Sequence, residues 1–153
     1  MTFASRRLQS ALPAHGSAHH HTTASDIATG RAVILIVEDD TLLRMHAAEI
    51  IEEAGFQVIE AENADVAMRV LESRNDVGIM FTDIDMPGSM NGLKLARAVA
   101  DRWPPIRILA TSGHFKLHDG DLPVGGQFIA KPYRAHQIIS TLQALAGLAP
   151  AQR

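Results

Sequence analysis

Short apolar blocks alternate along this chain with longer stretches in which apolar positions recur every three or four residues. The blocks cover residues 32–37, 56–60, 77–82, 106–110 and 127–130. Each is the length of a strand and rich in Val, Ile, Leu and Phe, as a strand buried on both faces requires. Between them the spacing predicts helices. Over 42–54, Leu42, Leu43, Ala47, Ile50 and Ile51 share a face and Gly55 follows as a stop. Asn63 caps a second helix that runs to about residue 74, and Asn91 caps a third over 92–101. A last helix over 134–146 turns Ile138, Ile139, Leu142 and Leu145 inward. The stretch 113–126 holds four glycines and Pro123, so it predicts only a short or irregular helix, over 115–118.

The order is strand and helix repeated five times, the fourth helix being eroded. It predicts an α/β fold: a doubly wound (βα)5 flavodoxin-like sandwich on a parallel sheet, with helices on both faces. In the strand order 2-1-3-4-5, strands 1 and 3 are neighbours, and ligands gather at the C-terminal ends of the strands. Residues 1–29 carry Ala, Ser, Thr and His with few large apolar side chains, which predicts a disordered tail before a domain over 30–149. Arg6 and Arg7 faintly suggest a targeting peptide, but no apolar h-region accompanies them. His15 and His19 to His21 are read as an adventitious metal tract.

Composition narrows the reading. With 153 residues, 46% apolar, the chain is long enough for one domain with its own core. A net charge of -3 gives no electrostatic reason to expect nucleic acid. Zero cysteines exclude a disulfide framework and a thiolate site, and fit a reducing, cytoplasmic setting. No apolar stretch approaches the roughly 18 residues of a membrane span.

The polar residues at the strand ends carry the chemistry. Strand 1 runs into Glu38, Asp39 and Asp40; strand 3 into Asp83 and Asp85; strand 4 into Thr111; strand 5 into Lys131 and Pro132. Asp40 also suits a helix cap. Clustered carboxylates repel one another and resist ionising, and a hard cation relieves this. An all-oxygen donor set selects Mg²⁺ or Mn²⁺. Asp83 is the expected nucleophile toward phosphorus. Glu38, Asp39, Asp83 and the Asp85 backbone carbonyl are the expected metal ligands. Lys131 and the Thr111 hydroxyl are the expected partners of the other phosphoryl oxygens. A cis peptide is expected at Lys131-Pro132.

Over residues 32–147 the sequence resembles a response-regulator receiver domain of bacterial two-component signalling. The resemblance rests on Glu38-Asp39, on Asp83 with Met86-Pro87 and Gly92, on Thr111-Ser112-Gly113, and on Lys131-Pro132-Tyr133. It implies that Asp83 is phosphorylated, that Glu38 and Asp39 are the metal pair, and that Lys131 contacts the phosphate. Thr111 and Phe128 would be the switch hydroxyl and the switch aromatic. It also implies a sensor histidine kinase or histidine phosphotransfer protein as donor, and a cytoplasmic location. The chain departs from the common pattern in three places. Glu38 stands where Asp is frequent, so it would reach a metal through water. Gly88-Ser89-Met90 lengthens a loop by one residue. The eroded fourth helix would order on phosphorylation or on partner binding. Asp85 and Gly113 flank the expected approach of hydrolytic water and would tune the phosphoryl lifetime.

Only one helix is expected after Pro132, which leaves no room for a helix-turn-helix or a catalytic output domain. The expectation is a stand-alone receiver that catalyses only its own phosphorylation and dephosphorylation. It would relay phosphate, drain it from a kinase, or bind a downstream protein target, with neither nucleic acid nor membrane as partner. The scattered His46, His114, His118 and His136 read as surface or packing residues. Ile138, Leu142 and Leu145 would support a homodimer if left uncovered, and otherwise pack inward. Two other readings compete. A pseudo-receiver would bind partners without phosphate, but all the key side chains are present. A haloacid-dehalogenase-like phosphatase would use Asp83 and Asp85 as its acid pair, but would need them on strand 1.

Overall fold

A computed structural model describes residues 32–147, except residues 115 and 119. The expected tail over 1–29 lies outside the described residues. Five strands, β1 (Val33–Val37), β2 (Gln57–Ala61), β3 (Val77–Asp83), β4 (Arg107–Ser112) and β5 (Gln127–Ala130), form one sheet in the order β2-β1-β3-β4-β5. Every pairing is parallel. The helices are α1 (Thr41–Glu53), α2 (Ala64–Ser73), α3 (Gly92–Arg102) and α4 (Ala135–Leu145). The doubly wound sandwich and its strand order are therefore as the pattern predicts. No helix among the described residues is long and apolar enough to cross a membrane.

Side chains alternate across each strand, and the core divides accordingly. Ile34, Ile36, Phe81, Leu109 and Ile129 face one side, where Ala47 and Ile51 of α1 and Ile138 and Leu142 of α4 cover them. Val33, Leu35, Val37, Met80 and Ile108 face the other, under Ala67 and Leu71 of α2 and Leu95 and Val99 of α3. Burying each of these large side chains stabilises the fold by roughly 1.5–3 kcal/mol. Ile138, Leu142 and Leu145 are all buried, so the inward packing of α4 is the alternative observed.

Capping fixes where the helices begin. Asp40 accepts from the Leu43 amide at 3.0 Å, Asn63 from Val66 at 2.9 Å and Asn91 from Lys94 at 2.9 Å. Gly55 follows α1 at φ +96°, a conformation that costs a residue with a Cβ far more than glycine. The Lys131-Pro132 peptide is cis, as expected.

Three local expectations need correction. Leu42 and Leu43 do not lie on the buried face of α1; Leu42 is 77% exposed and Leu43 41%. The Asp40 cap starts the helix at Thr41, and the inward stripe then begins with Ala47 and Ala48. Next, β3 and β4 extend past 82 and 110 to include Asp83, Thr111 and Ser112, because Asp83 and Thr111 are themselves paired in register. Finally, the described residues between β4 and β5 contain no helix, and Lys116 to His118 are irregular. Residue 115, part of the helix expected there, lies outside the described residues. Gly120 at φ +92° and Gly125 at φ +84° break any right-handed run. The segment is instead tied to α3 through Arg97, which donates to the Asp121 carbonyl at 3.2 Å.

Candidate functional site

Register brings the strand ends together. Val37 pairs with Thr82, so Glu38 leaves β1 beside Asp83 at the end of β3. Asp83 pairs with Thr111, and Ser112 with Ala130, so Lys131 emerges next to the end of β4. Short backbone bonds continue the ladders beyond the strands: Glu38 N–H to Ala61 O at 3.1 Å, Ile84 N–H to Thr111 O at 2.9 Å, and Lys131 N–H to Ser112 O at 3.0 Å.

Asp83 is buried, at 4% exposed, and both of its carboxylate oxygens are held. The Lys131 ammonium donates to Oδ2 at 3.0 Å, and the Asp85 amide donates to Oδ1 at 3.1 Å. Lys131 also lies 3.5 Å from Glu38 Oε2. Burial opposes its charge, but the hydrogen bond to Asp83 and the fields of Asp83 and Glu38 outweigh it and raise its pKa. Glu38 departs from ordinary carboxylate behaviour. Burial first, and then the adjoining Asp83 carboxylate, push its pKa up to about 8. Tyr133, whose ring sits 5.9 Å from that of Phe81, is also raised, chiefly by burial.

Glu38, Asp39 and Asp83 each offer an oxygen, and these oxygens lie within 4.8 Å of one another. Two of the three residues are buried and Asp39 is open to solvent. The donor set fits a hard divalent cation: it is all oxygen, it is crowded enough to hold a proton on Glu38 in the cation's absence, and one side is open for water ligands. The Asp85 carboxylate is not part of this group. It turns away to accept from Ser112 Oγ at 2.6 Å and from the Gly113 amide at 3.3 Å, so only its backbone is left for the expected metal role. The Thr111 hydroxyl is buried beside Asp83 with no hydrogen-bond partner among the described residues. Phe128, the expected switch aromatic, is half-buried on β5 and pairs with Ala110.

Sequence reasoning passed over Arg44, and it named Ser112 only within the Thr111-Ser112-Gly113 motif, without a role. Arg44 on α1 donates to the Glu38 carbonyl at 2.8 Å and pairs with Glu60 of β2 at 3.3 Å. Its signal was only a cation six positions after Glu38, which an exposed helix face also explains. Ser112 is 2% exposed and bonds Asp85. Its buried place in the strand was not visible because the apolar pattern ended β4 at Ala110.

A family model described as "Response regulator receiver domain" matches residues 34–143. The chain is 33% identical over 116 residues to the C4-dicarboxylate transport transcriptional regulatory protein DctD of Rhizobium meliloti, covering 71% of this chain and 24% of that protein. It is 27% identical to the response regulator receiver protein CpdR of Brucella abortus, over 72% of this chain and 92% of CpdR. The crystal structure of a response regulator receiver protein from Sinorhizobium medicae matches with a TM-score of 0.71 at 23% identity, over 78% of this chain and 97% of that one. The chain thus spans about a quarter of DctD but nearly all of CpdR.

Proposed function

The chain belongs to the response-regulator receiver family, and from that premise we propose that it accepts a phosphoryl group on Asp83 in a Mg²⁺-dependent reaction. Receiver domains are signalling domains rather than classical enzymes. They interact with histidine kinases or phosphotransfer proteins and bind Mg²⁺ through acidic residues. The proposal assigns this chain the same part. A sensor histidine kinase or a phosphotransfer protein donates, and the phosphorylated domain switches binding to a downstream protein or relays the phosphate. The setting is the cytoplasm, and the unit that acts is the receiver domain, residues 30–149.

The observation that carries this reading is the double hold on Asp83, between the Lys131 ammonium at 3.0 Å and the Asp85 amide at 3.1 Å, next to the Glu38–Asp39 pair. Phosphoryl transfer needs mainly positioning and charge neutralisation. An Asp83 oxygen forms the bond to phosphorus while the bond from phosphorus to the donor nitrogen breaks, its electron pair leaving with the nitrogen. Lys131 then shifts from the carboxylate to a phosphoryl oxygen. Thr111, a buried hydroxyl lacking a partner among the described residues, supplies a donor to a second phosphoryl oxygen. A divalent cation held by Glu38, Asp39, Asp83 and the Asp85 carbonyl supplies charge neutralisation when bound. Phe128 follows Thr111 as the switch aromatic.

Intact mass after incubation with Mg²⁺ and a small acyl phosphate tests the proposal. One metal-dependent phosphoryl adduct, absent from Asp83→Asn, is expected. A folded wild type that takes up no phosphate would leave a phosphate-independent binding module.

A further inference from the structure

Asp83 has one oxygen on the Lys131 side chain, at the end of four methylenes, and the other on a backbone amide. Only the second contact has a fixed direction, and its donor is the Asp85 N–H at 3.1 Å. The carbonyl of that peptide, Ile84 O, accepts from the Gly92 amide at 3.1 Å and the Met86 amide at 3.0 Å, and the Asp85 side chain adds a second hold on its other side. Both of its hydrogen bonds converge on one oxygen, Oδ2: Ser112 Oγ at 2.6 Å and the Gly113 amide at 3.3 Å. The first is short, as a hydroxyl donating to a charged carboxylate should be. Ser112 is itself held. Its hydroxyl accepts from the His114 amide at 3.2 Å, its carbonyl accepts from Lys131 N–H at 3.0 Å, and it is 2% exposed at the end of β4. A continuous path therefore runs from the rigid end of β4, through one hydroxyl and one carboxylate, to the amide that orients the acceptor oxygen.

We infer that Ser112 is a positioning residue for phosphoryl acceptance, acting through the Asp85 carboxylate to fix the amide that aims Asp83. The inference rests on Asp83 being the phosphoacceptor. It makes the Asp85 side chain matter for its hydrogen bonds and not for its charge. Because both bonds use the same oxygen, an asparagine at 85 can reproduce them with its amide oxygen, whereas alanine cannot.

The test compares full-length wild type, Ser112→Ala, Asp85→Ala and Asp85→Asn. Rates of phosphorylation by acetyl phosphate with Mg²⁺ are measured as a function of donor concentration. Hydrogen exchange of the Asp85 amide is followed in the metal-free proteins. Ser112→Ala and Asp85→Ala should lower the saturated rate by about tenfold, since small misplacements of a reacting group carry penalties of that order or more. The half-saturating donor concentration should not change. Asp85→Asn, which keeps an accepting oxygen, should recover most of the rate that Asp85→Ala loses. The Asp85 amide should exchange at least about tenfold faster in the two alanine variants only. The inference is overturned if Asp85→Asn is as slow as Asp85→Ala, which would make charge the operative property, or if Ser112→Ala matches wild type in both assays. Failure of the wild type itself to take up phosphate would count against the proposed function. The exchange arm would still decide whether Ser112 holds the Asp85 amide.

Discussion

Gly92 packs directly onto the backbone of Asp83. Its amide donates to the Ile84 carbonyl at 3.1 Å, and a Cβ built on it would overlap the Asp83 carbonyl, reaching 2.7 Å from the carbonyl carbon and 2.8 Å from Ile84 Cα. The obstacle is backbone on both sides, so no side chain can swing aside. Gly92→Ala should therefore cost roughly 1–3 kcal/mol or more as an overpacking change. It should also displace the acceptor. Urea unfolding with and without Mg²⁺, alongside the phosphorylation rate, measures both effects; a stable variant with an unchanged rate would contradict this packing.

Thr111 presents the opposite balance. A buried hydroxyl with no partner among the described residues costs free energy in the resting protein. Thr111→Val keeps the shape and removes the orphan oxygen. Its unphosphorylated form should be more stable than wild type by about 1 kcal/mol. Its conformational response to a phosphoryl mimic should be weakened. Denaturant midpoints and amide spectra with beryllofluoride read these two effects separately.

Glu38 links the site to pH. Its pKa in the folded chain stands near 8, above the ordinary 4.5, because burial and Asp83 disfavour its charge. The folded state thus holds this proton more tightly than the unfolded chain. Its contribution to metal-free stability is fully present below pH 4.5 and is lost as pH rises through 8. A bound cation needs the carboxylate, so Mg²⁺ affinity should rise with pH up to about 8, with about one proton released per ion at pH 7. Titration calorimetry in buffers of different ionisation enthalpy counts that proton. A release near zero would mean that Glu38 does not titrate on metal binding.

Among the described residues of the segment 113–126, Asp121 accepts from Arg97 of α3 through its carbonyl at 3.2 Å and from the His118 amide through its carboxylate at 2.7 Å. The segment follows Ser112, the last residue of β4 and the neighbour of Thr111, so a movement of the Thr111 hydroxyl toward a phosphoryl group would act on it first. Its amides should exchange more slowly once Asp83 carries a phosphoryl mimic. Equal exchange with and without the mimic would show that the segment does not respond.

Sheet order, core faces and the residues around Asp83 were legible in the sequence because each strand is a short apolar run ending in a polar group. Two long strands were cut short because Asp83, Thr111 and Ser112 are polar yet buried, and an apolar pattern cannot register strand residues of that kind. Leu42 and Leu43 misled for the converse reason: apolar residues in the first turn of α1 were assigned to the core although they point outward. The clip between Ser112 and Asp85 joins residues 27 positions apart, and nothing in local spacing announces such a contact.

The Lys131–Asp83 pair spans 48 positions, and the site as a whole draws on the ends of β1, β3, β4 and β5. No fragment short of the complete sheet assembles it. Contacts this distant in sequence form late and together, after chain entropy has been overcome. Competence to accept phosphate on Asp83, as proposed, would therefore also report finished folding. A nascent or partly unfolded copy that lacks β5 has the aspartate but not the ammonium that meets it in the folded sheet, and so would give no false signal.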